Sequence, residues 1–121
     1  MSSNISPKVQ NQIAQLQTMQ QQMQTIGAQK SQYEMAVREA RRATEELKDL
    51  PDENAVFMSV GSVLMQKKKE EVLAKLNDKI ETLEVRIKSL EKQETLLQGK
   101  FEQLQAQVRQ AIEGKPAPGA A

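Results

Sequence analysis

Asn54 to Gln66 reads Asn-Ala-Val-Phe-Met-Ser-Val-Gly-Ser-Val-Leu-Met-Gln, and this stretch has the character of β-strand. Two short runs rich in β-branched and aromatic residues flank Gly61, a residue type that readily adopts positive φ. The pattern predicts a β-hairpin over residues 54–66. A two-stranded hairpin is marginally stable alone in water and leaves both edges unpaired. Because the rest of the chain has the character of helix, we expect the hairpin to lend its strands to a sheet built from several chains.

Apolar residues before the hairpin recur at steps of three and four, which is the spacing of a coiled-coil seam. Ser6 and Pro7 form a helix-start signal, and Pro51 disfavours helix in the residue before it, so the first helix is predicted over residues 7–50. Its predicted seam consists of Val9, Ile13, Leu16, Met19, Met23, Ile26, Lys30, Tyr33, Val37, Ala40, Thr44 and Leu47.

The same spacing returns after the hairpin and predicts a second helix over residues 67–113, with Gly114 as the stop. Residues 114–121, rich in proline, glycine and alanine, are predicted to be a disordered tail. The second predicted seam consists of Leu73, Leu76, Ile80, Leu83, Ile87, Leu90, Glu94, Leu97, Phe101, Leu104, Val108 and Ala111.

The two seams fit each other as an antiparallel pair, because facing positions have residue numbers that add up to a constant over successive layers. Lys30 and Glu94 fall in neighbouring layers, where polar residues cost stability but fix register. Near the chain ends the sum of the facing residue numbers changes, so we expect an imperfectly closed seam there. The residues expected to be partly exposed are Ile5, Val9, Ile13, Val108 and Ile112.

Composition limits the classes of function. The 121 residues are 38% hydrophobic with a net charge of +1, and they include neither cysteine nor histidine. The commonest general base and the thiolate metal ligands are therefore missing. No apolar run approaches the roughly 18 residues of a membrane span, and residues 1–7 lack the pattern of a secretion signal. We expect a soluble, cytoplasmic helical protein that is not an enzyme and uses no cofactor, metal, membrane or nucleic acid.

Two smaller features have more than one interpretation. Lys67, Lys68 and Lys69 form a basic run, which fits a solvated or partner-facing helix start better than a phosphate contact, since no aromatic residues are interleaved. Met19 and Met23 are seam residues whose first interpretation is core packing. Their flexible thioethers could also adapt to an irregular surface presented by another molecule.

The order helix, single β-hairpin, helix, with a glutamine-rich first helix, resembles the beta subunit of prefoldin. The likeness covers residues 6–114, and its most specific part is Ala55 to Met65, with an aromatic residue in the first strand, glycine at the turn and an aliphatic second strand. Alpha-type subunits of that family are longer and have two hairpins, so the single hairpin is similar to the beta type. The lack of extensions resembles the archaeal form.

The resemblance implies a mainly α fold: a long antiparallel coiled-coil hairpin with one β-hairpin at its closed end, contributing to an intersubunit β-barrel. It implies a hexamer of two alpha and four beta subunits that acts as an ATP-independent holdase. Such a chaperone binds non-native proteins at the coiled-coil tips, prevents their aggregation and delivers them to a group II chaperonin.

The resemblance also implies two sets of functional residues. The implied assembly residues, in the hairpin, are Val56, Phe57, Met58, Val60, Gly61, Val63, Leu64 and Met65. The implied client-binding residues, called the tip residues below, are Ile5, Val9, Ile13, Leu16, Leu104, Val108 and Ile112.

Two other classes of function remain open at the level of sequence. A structural coiled-coil adaptor would pair its hairpin with one specific folded partner and would not protect unfolded proteins. A nucleic-acid-binding rod would use Lys67 to Lys69 and would bind duplex DNA at low salt.

Overall fold

The computed structural model describes residues 5–114, which contain two long helices and a two-stranded sheet. In chain order, the elements are α1 (Pro7–Asp49), β1 (Val56–Val60), β2 (Val63–Lys67) and α2 (Lys69–Glu113). This order is the predicted mainly α class with one β-hairpin. Residues 115–121 of the predicted tail lie outside the described residues.

Local chemistry sets the ends of α1. The Ser6 hydroxyl accepts a hydrogen bond from the Val9 amide at 3.2 Å, which satisfies one of the free N–H groups of the first turn. Pro7 is the first helical residue, where its missing N–H has no cost. The helix ends at Asp49, one residue before the predicted end, and the Leu50 amide closes a final turn onto the Leu47 carbonyl at 3.1 Å.

The hairpin has a two-residue connection. β1 and β2 pair antiparallel from Val56 opposite Lys67 to Val60 opposite Val63, so Gly61 and Ser62 form the loop. Gly61 has a φ of 62°, whereas Ser62 does not have a positive φ. A glycine with positive φ at the first loop position is the arrangement of a type II′ turn, whose twist suits the flanking strands.

The beginning of α2 differs from the prediction. Lys67 is the last residue of β2, because it pairs with Val56, and α2 begins only at Lys69. The predicted helix over residues 67–113 is therefore wrong at its first two residues. The predicted stop is confirmed: α2 ends at Glu113, and Gly114 has a φ of 68° with its amide 2.7 Å from the Gln110 carbonyl oxygen.

Contacts divide the chain into two compact units, of which one is Lys30–Ser89. Its core consists of Val37 and Ala40 from α1 with Ile80 and Leu83 from α2. Half-buried residues packed against this core include Tyr33, Ala36, Leu76 and Ile87. Because both members of several predicted layers meet in one cluster, the predicted antiparallel seam is confirmed within this unit.

Polar contacts support the core of the Lys30–Ser89 unit. The Arg41 guanidinium forms an ion pair with the Glu84 carboxylate, and the Arg86 guanidinium carbon lies 5.9 Å from the centre of the Tyr33 ring. Both side chains of the ion pair are about half exposed, and such pairs contribute at most about 1 kcal/mol. Thr44 is buried in the seam, where its hydroxyl donates to the Ala40 carbonyl at 2.9 Å. Apolar burial therefore dominates the stability of this unit.

The second unit combines the residues up to Gln29 with those from Leu90 onward. Among its described residues, the buried side chains are Val9, Leu90 and Val108. The Glu94 carboxylate oxygen lies 4.0 Å from the position that a Cβ atom would occupy on Gly27, so α1 and α2 are close neighbours there too.

The predicted register role of Lys30 and Glu94 stays a prediction. Both side chains are half-buried, and both take part in non-covalent interactions.

Candidate functional surfaces

The hairpin has two unpaired edges. Among the described residues, β1 and β2 form a sheet of two strands that pair only with each other. The outer edge of each strand therefore carries backbone N–H and C=O groups without a strand partner. Unpaired edges with apolar side chains are templates for pairing with further strands. The geometry thus fits a sheet that is completed by other chains.

The two faces of the hairpin differ in composition, because directly paired residues share a face and successive residues alternate. One face carries three cross-strand pairs: Val56 with Lys67, Met58 with Met65, and Val60 with Val63. The opposite face carries Phe57 with Gln66, and Ser59 with Leu64. Phe57 and Leu64 are diagonal neighbours there. Both faces of the hairpin therefore carry apolar side chains.

Most of the predicted assembly residues are exposed in the single chain. The exposed fractions of the large apolar side chains are 54% for Phe57, 46% for Val60, 57% for Val63, 68% for Leu64 and 41% for Met65. Several large apolar side chains exposed together on one short hairpin indicate an interaction surface. The hairpin is thus the strongest candidate for a binding surface in the described part of the chain.

The other three predicted assembly residues are not exposed large apolar side chains. Val56 is only 7% exposed, so the chain itself covers most of this side chain, and its role in assembly stays a prediction. Met58 is half-buried, with its sulfur 4.0 Å from the Lys75 ammonium. Gly61 is exposed and supplies the turn conformation, with open space where a Cβ atom would lie. Val56 is thus part of the chain's own core near the hairpin base.

The basic run does not form one basic face. Lys67 belongs to β2, Lys68 is an exposed connecting residue, and the Lys69 ammonium is hydrogen-bonded within the chain. The surrounding open cleft also has the carboxylates of Asp52, Glu53, Glu70 and Glu71 among its lining residues. Acidic groups therefore offset the lysines, and the cleft lacks the positive field that a phosphate backbone needs.

The tip residues fall into three levels of exposure. Val9 and Val108 are buried at 8% and 7%, so the expectation that they are partly exposed is wrong. Ile112 is 57% exposed. The half-buried tip residues are Ile5, Ile13, Leu16 and Leu104. The seam is thus closed further toward the chain ends than expected from the change in the sum of facing residue numbers.

Ala111 departs from the predicted seam, because it is exposed whereas Gln110 beside it is half-buried. The apolar stripe of α2 therefore ends at Val108. Met19 and Met23 are both half-buried, which fits seam residues at an incompletely covered part of the seam. A shallow groove of about 560 Å³ next to Met23 is also lined by Glu94, Thr95, Gln98, Gly99 and Glu102.

Membrane spans and metal centres are two further kinds of functional feature. Neither helix within residues 5–114 contains a segment that is both long and apolar enough to cross a membrane. In the same range, no group of three or more acidic side chains is arranged to hold a metal ion.

Sequence reasoning missed two residues at the base of the hairpin. Val72 is 8% exposed, although the predicted seam of α2 begins at Leu73. The adjacent pair Val72 and Leu73 widens the apolar stripe at the start of α2, and this doubling was a usable signal. The sequence does not distinguish Lys69 from the two lysines before it, whereas in the structure its side chain is 13% exposed and donates hydrogen bonds to the carbonyl groups of Lys48, in α1, and of Leu50, just after α1.

The order helix, β-hairpin, helix, with a coiled-coil seam and an exposed apolar hairpin, defines the class of coiled-coil proteins that carry a β-hairpin between their two helices. Comparison with known proteins narrows this class. A family model described as "Prefoldin subunit" matches residues 10–115. The chain therefore belongs to the prefoldin subunit family, whose members are subunits of a protein-folding chaperone.

Similarity to individual prefoldin subunits supports this family assignment. The chain is similar to the prefoldin subunit beta of Methanospirillum hungatei, with 67% identity over 97% of this chain and 98% of the relative. It is also 67% identical to the prefoldin subunit beta of Methanoculleus marisnigri over 95% of each chain. The crystal structure of the prefoldin beta subunit from Thermococcus strain KS-1 is similar, with a TM-score of 0.84 and 40% identity over 92% of this chain and 97% of that one. The resemblance to archaeal beta subunits is confirmed.

Proposed function

We propose that this chain is the beta-type subunit of a prefoldin hexamer with two alpha and four beta subunits, in which its hairpin contributes two strands to an intersubunit β-barrel. The exposed apolar hairpin carries this proposal. Within residues 5–114 its strands have two unpaired edges, and five of its large apolar side chains are at least 41% exposed. Burial against neighbouring hairpins would remove this surface from water and satisfy the edge hydrogen bonds.

The assembly residues have separate tasks in this proposal. The side chains that contact neighbouring hairpins are Phe57, Val60, Val63, Leu64 and Met65. Val56 anchors the hairpin to its own chain, because its side chain is already covered. Met58 fills the space between the anchored base and the exposed end, and Gly61 provides the turn.

The assembled protein is, in this proposal, an ATP-independent cytoplasmic holdase. It binds non-native proteins through the tip residues, prevents their aggregation and passes them to a group II chaperonin. Ile112 is the exposed member of the tip set, and Ile5, Ile13, Leu16 and Leu104 are partly accessible. Each contact is weak and apolar, but several copies in one hexamer multiply the affinity for an extended client.

The first experiment measures the native mass of this chain alone and after mixing with an alpha-type prefoldin subunit. The proposal expects a hexamer with four copies of this chain. No association in the mixture, with the chain stable as a monomer or dimer, would contradict it. Aggregation of a chemically unfolded client, followed by light scattering without ATP, then tests holding. Selective binding of one folded protein without protection of unfolded clients would favour a structural coiled-coil adaptor instead.

A further inference from the structure

Lys69 makes the densest set of polar contacts at the base of the hairpin. Its ammonium nitrogen lies 2.7 Å from the Leu50 carbonyl oxygen and 3.4 Å from the Lys48 carbonyl oxygen. It also lies 3.3 Å from a carboxylate oxygen of Asp52. An ammonium group has three N–H donors, so these three acceptors can engage all of them. The Lys69 side chain is only 13% exposed, although most lysine side chains are solvated.

The charge of Lys69 is unfavourable for its own helix and favourable for the neighbouring one. Lys69 is the first residue of α2, where the helix dipole favours acidic residues such as Glu70 and Glu71. The C-terminus of α1, by contrast, presents free carbonyl groups and attracts cations. The ammonium group lies at that end, beside the last turn of α1. Lys69 therefore acts as a C-terminal cap supplied to α1 by α2.

This cap links the two segments that join the hairpin to α1 and to α2. The segment from Leu50 to Asn54 leads from α1 into β1, and Leu50 and Asp52 in this segment accept hydrogen bonds from Lys69. On the other side, Lys68 is the single residue between β2 and Lys69. One largely covered ammonium group thus ties the entry of the hairpin to its exit. The entry segment is also held by its own local turns, in which the Asn54 amide donates to the Pro51 carbonyl at 3.0 Å.

We propose that Lys69 is a positioning residue for assembly, which fixes the direction in which the hairpin leaves the two helices by capping α1 from the first turn of α2. This inference rests on the proposed assembly through the hairpin. A free hairpin that samples several directions reaches the geometry of a shared barrel in only part of its population. Its apparent affinity for partner subunits is the intrinsic affinity multiplied by that fraction.

The test compares Lys69→Met with Lys68→Met in the full chain. Methionine keeps the length of the aliphatic side chain and removes the donors, and Lys68 is an exposed neighbour of equal charge. A third variant, Lys69→Arg, keeps the charge and several donors. Two properties are measured: the alpha-type subunit concentration that gives half-maximal hexamer, and hydrogen exchange of the isolated chain by segment.

We expect Lys69→Met to weaken assembly about tenfold, which corresponds to the loss of hydrogen bonds to a charged group. Exchange should rise in residues 50–60 and stay unchanged in the core around Val37 and Leu83. Lys68→Met should match the wild type in both measurements, and Lys69→Arg should recover part of the assembly.

Three outcomes would overturn the inference: Lys69→Met assembling and exchanging like the wild type, Lys68→Met having an equal effect, or a general rise of exchange that includes the core. A wild-type chain that never assembles would overturn the proposed function instead. The exchange measurement would still decide whether Lys69 holds the hairpin base.

Discussion

Gly61 and Gly99 are the same residue type in opposite backbone settings. Gly61 has a φ of 62° in the hairpin turn, where side-chain-bearing residues are strained. Gly99 lies inside α2, and no heavy atom outside its own helical backbone lies within 4 Å of the position that a Cβ atom would occupy, so nothing there requires a glycine. Replacement by alanine is therefore expected to be unfavourable at Gly61 and favourable at Gly99.

Gly61→Ala should weaken assembly by about 1 kcal/mol, because alanine resists the left-handed conformation that the turn requires. The measurement is the partner concentration at half-maximal hexamer formation. Ser62→Ala is the matched control, since Ser62 is the adjacent loop residue without a positive φ. Equal effects of the two substitutions would show that turn conformation is not the cause.

Gly99→Ala should raise the free energy of unfolding by about 0.5–1 kcal/mol, because alanine has the higher helix propensity and restricts the unfolded chain. Urea unfolding of the isolated chain, followed by circular dichroism of the helices, measures it. Gly114→Ala provides the opposite case, because Gly114 has a φ of 68° at the end of α2. Destabilisation by Gly99→Ala would mean that α2 is not a continuous helix at this position.

At the scale of elements, the hairpin and the helices differ in how much of their apolar surface is buried within the chain. The helices bury a seam of moderate-sized residues against each other, as in the cluster of Val37, Ala40, Ile80 and Leu83. In the hairpin, Val56 is buried, but Val63 and Leu64 are more than half exposed. A substitution at the exposed end of the hairpin should therefore act on association while the helices remain folded.

Val60→Asp, or Val63→Asp, should weaken hexamer formation by more than about 100-fold, because a carboxylate would be buried in the shared sheet without a partner. Helix content by circular dichroism should stay close to that of the wild type. Val85→Asp is the matched control: Val85 is 68% exposed on α2, outside the hairpin. Normal assembly of both hairpin variants would show that this surface is not the interface.

At the scale of the whole molecule, the two proposed activities belong to residues in separate parts of the sequence. Assembly is assigned to the hairpin within the Lys30–Ser89 unit, and client contact to the tip residues in the other unit. Substitutions in one set should therefore leave the activity of the other intact. This separation makes holding measurable in variants that still form the hexamer.

The double substitution Ile5→Ser and Ile112→Ser should keep the hexamer but weaken client binding, by about 1 kcal/mol for each isoleucine removed. Suppression of client aggregation, titrated against hexamer concentration, measures the loss. Leu96→Ser is the control, because Leu96 is equally apolar and 66% exposed but outside the tip set. Full protection by the double variant, or an equal loss in the control, would contradict the assignment of the tip residues.

The sequence alone determined the order of the elements and most of their boundaries. Ser6–Pro7, Pro51, Gly61 and Gly114 act through local backbone chemistry, which does not depend on distant contacts. The seam could also be read from its spacing, because the helical period repeats along the chain. The exposed apolar end of the hairpin followed from the lack of other strands.

Tertiary structure decided which residues are covered and which charges find partners. Val56 and Val72 are buried at the hairpin base, and Val9 and Val108 near the chain ends, because burial depends on what packs over each residue rather than on its type. Lys69 is the first residue of α2 and lies beside the carbonyl end of α1, whereas Lys67 ends β2 and Lys68 connects the two elements. Three neighbouring lysines look alike in sequence, and only the meeting of α1 with α2 makes one of them a cap.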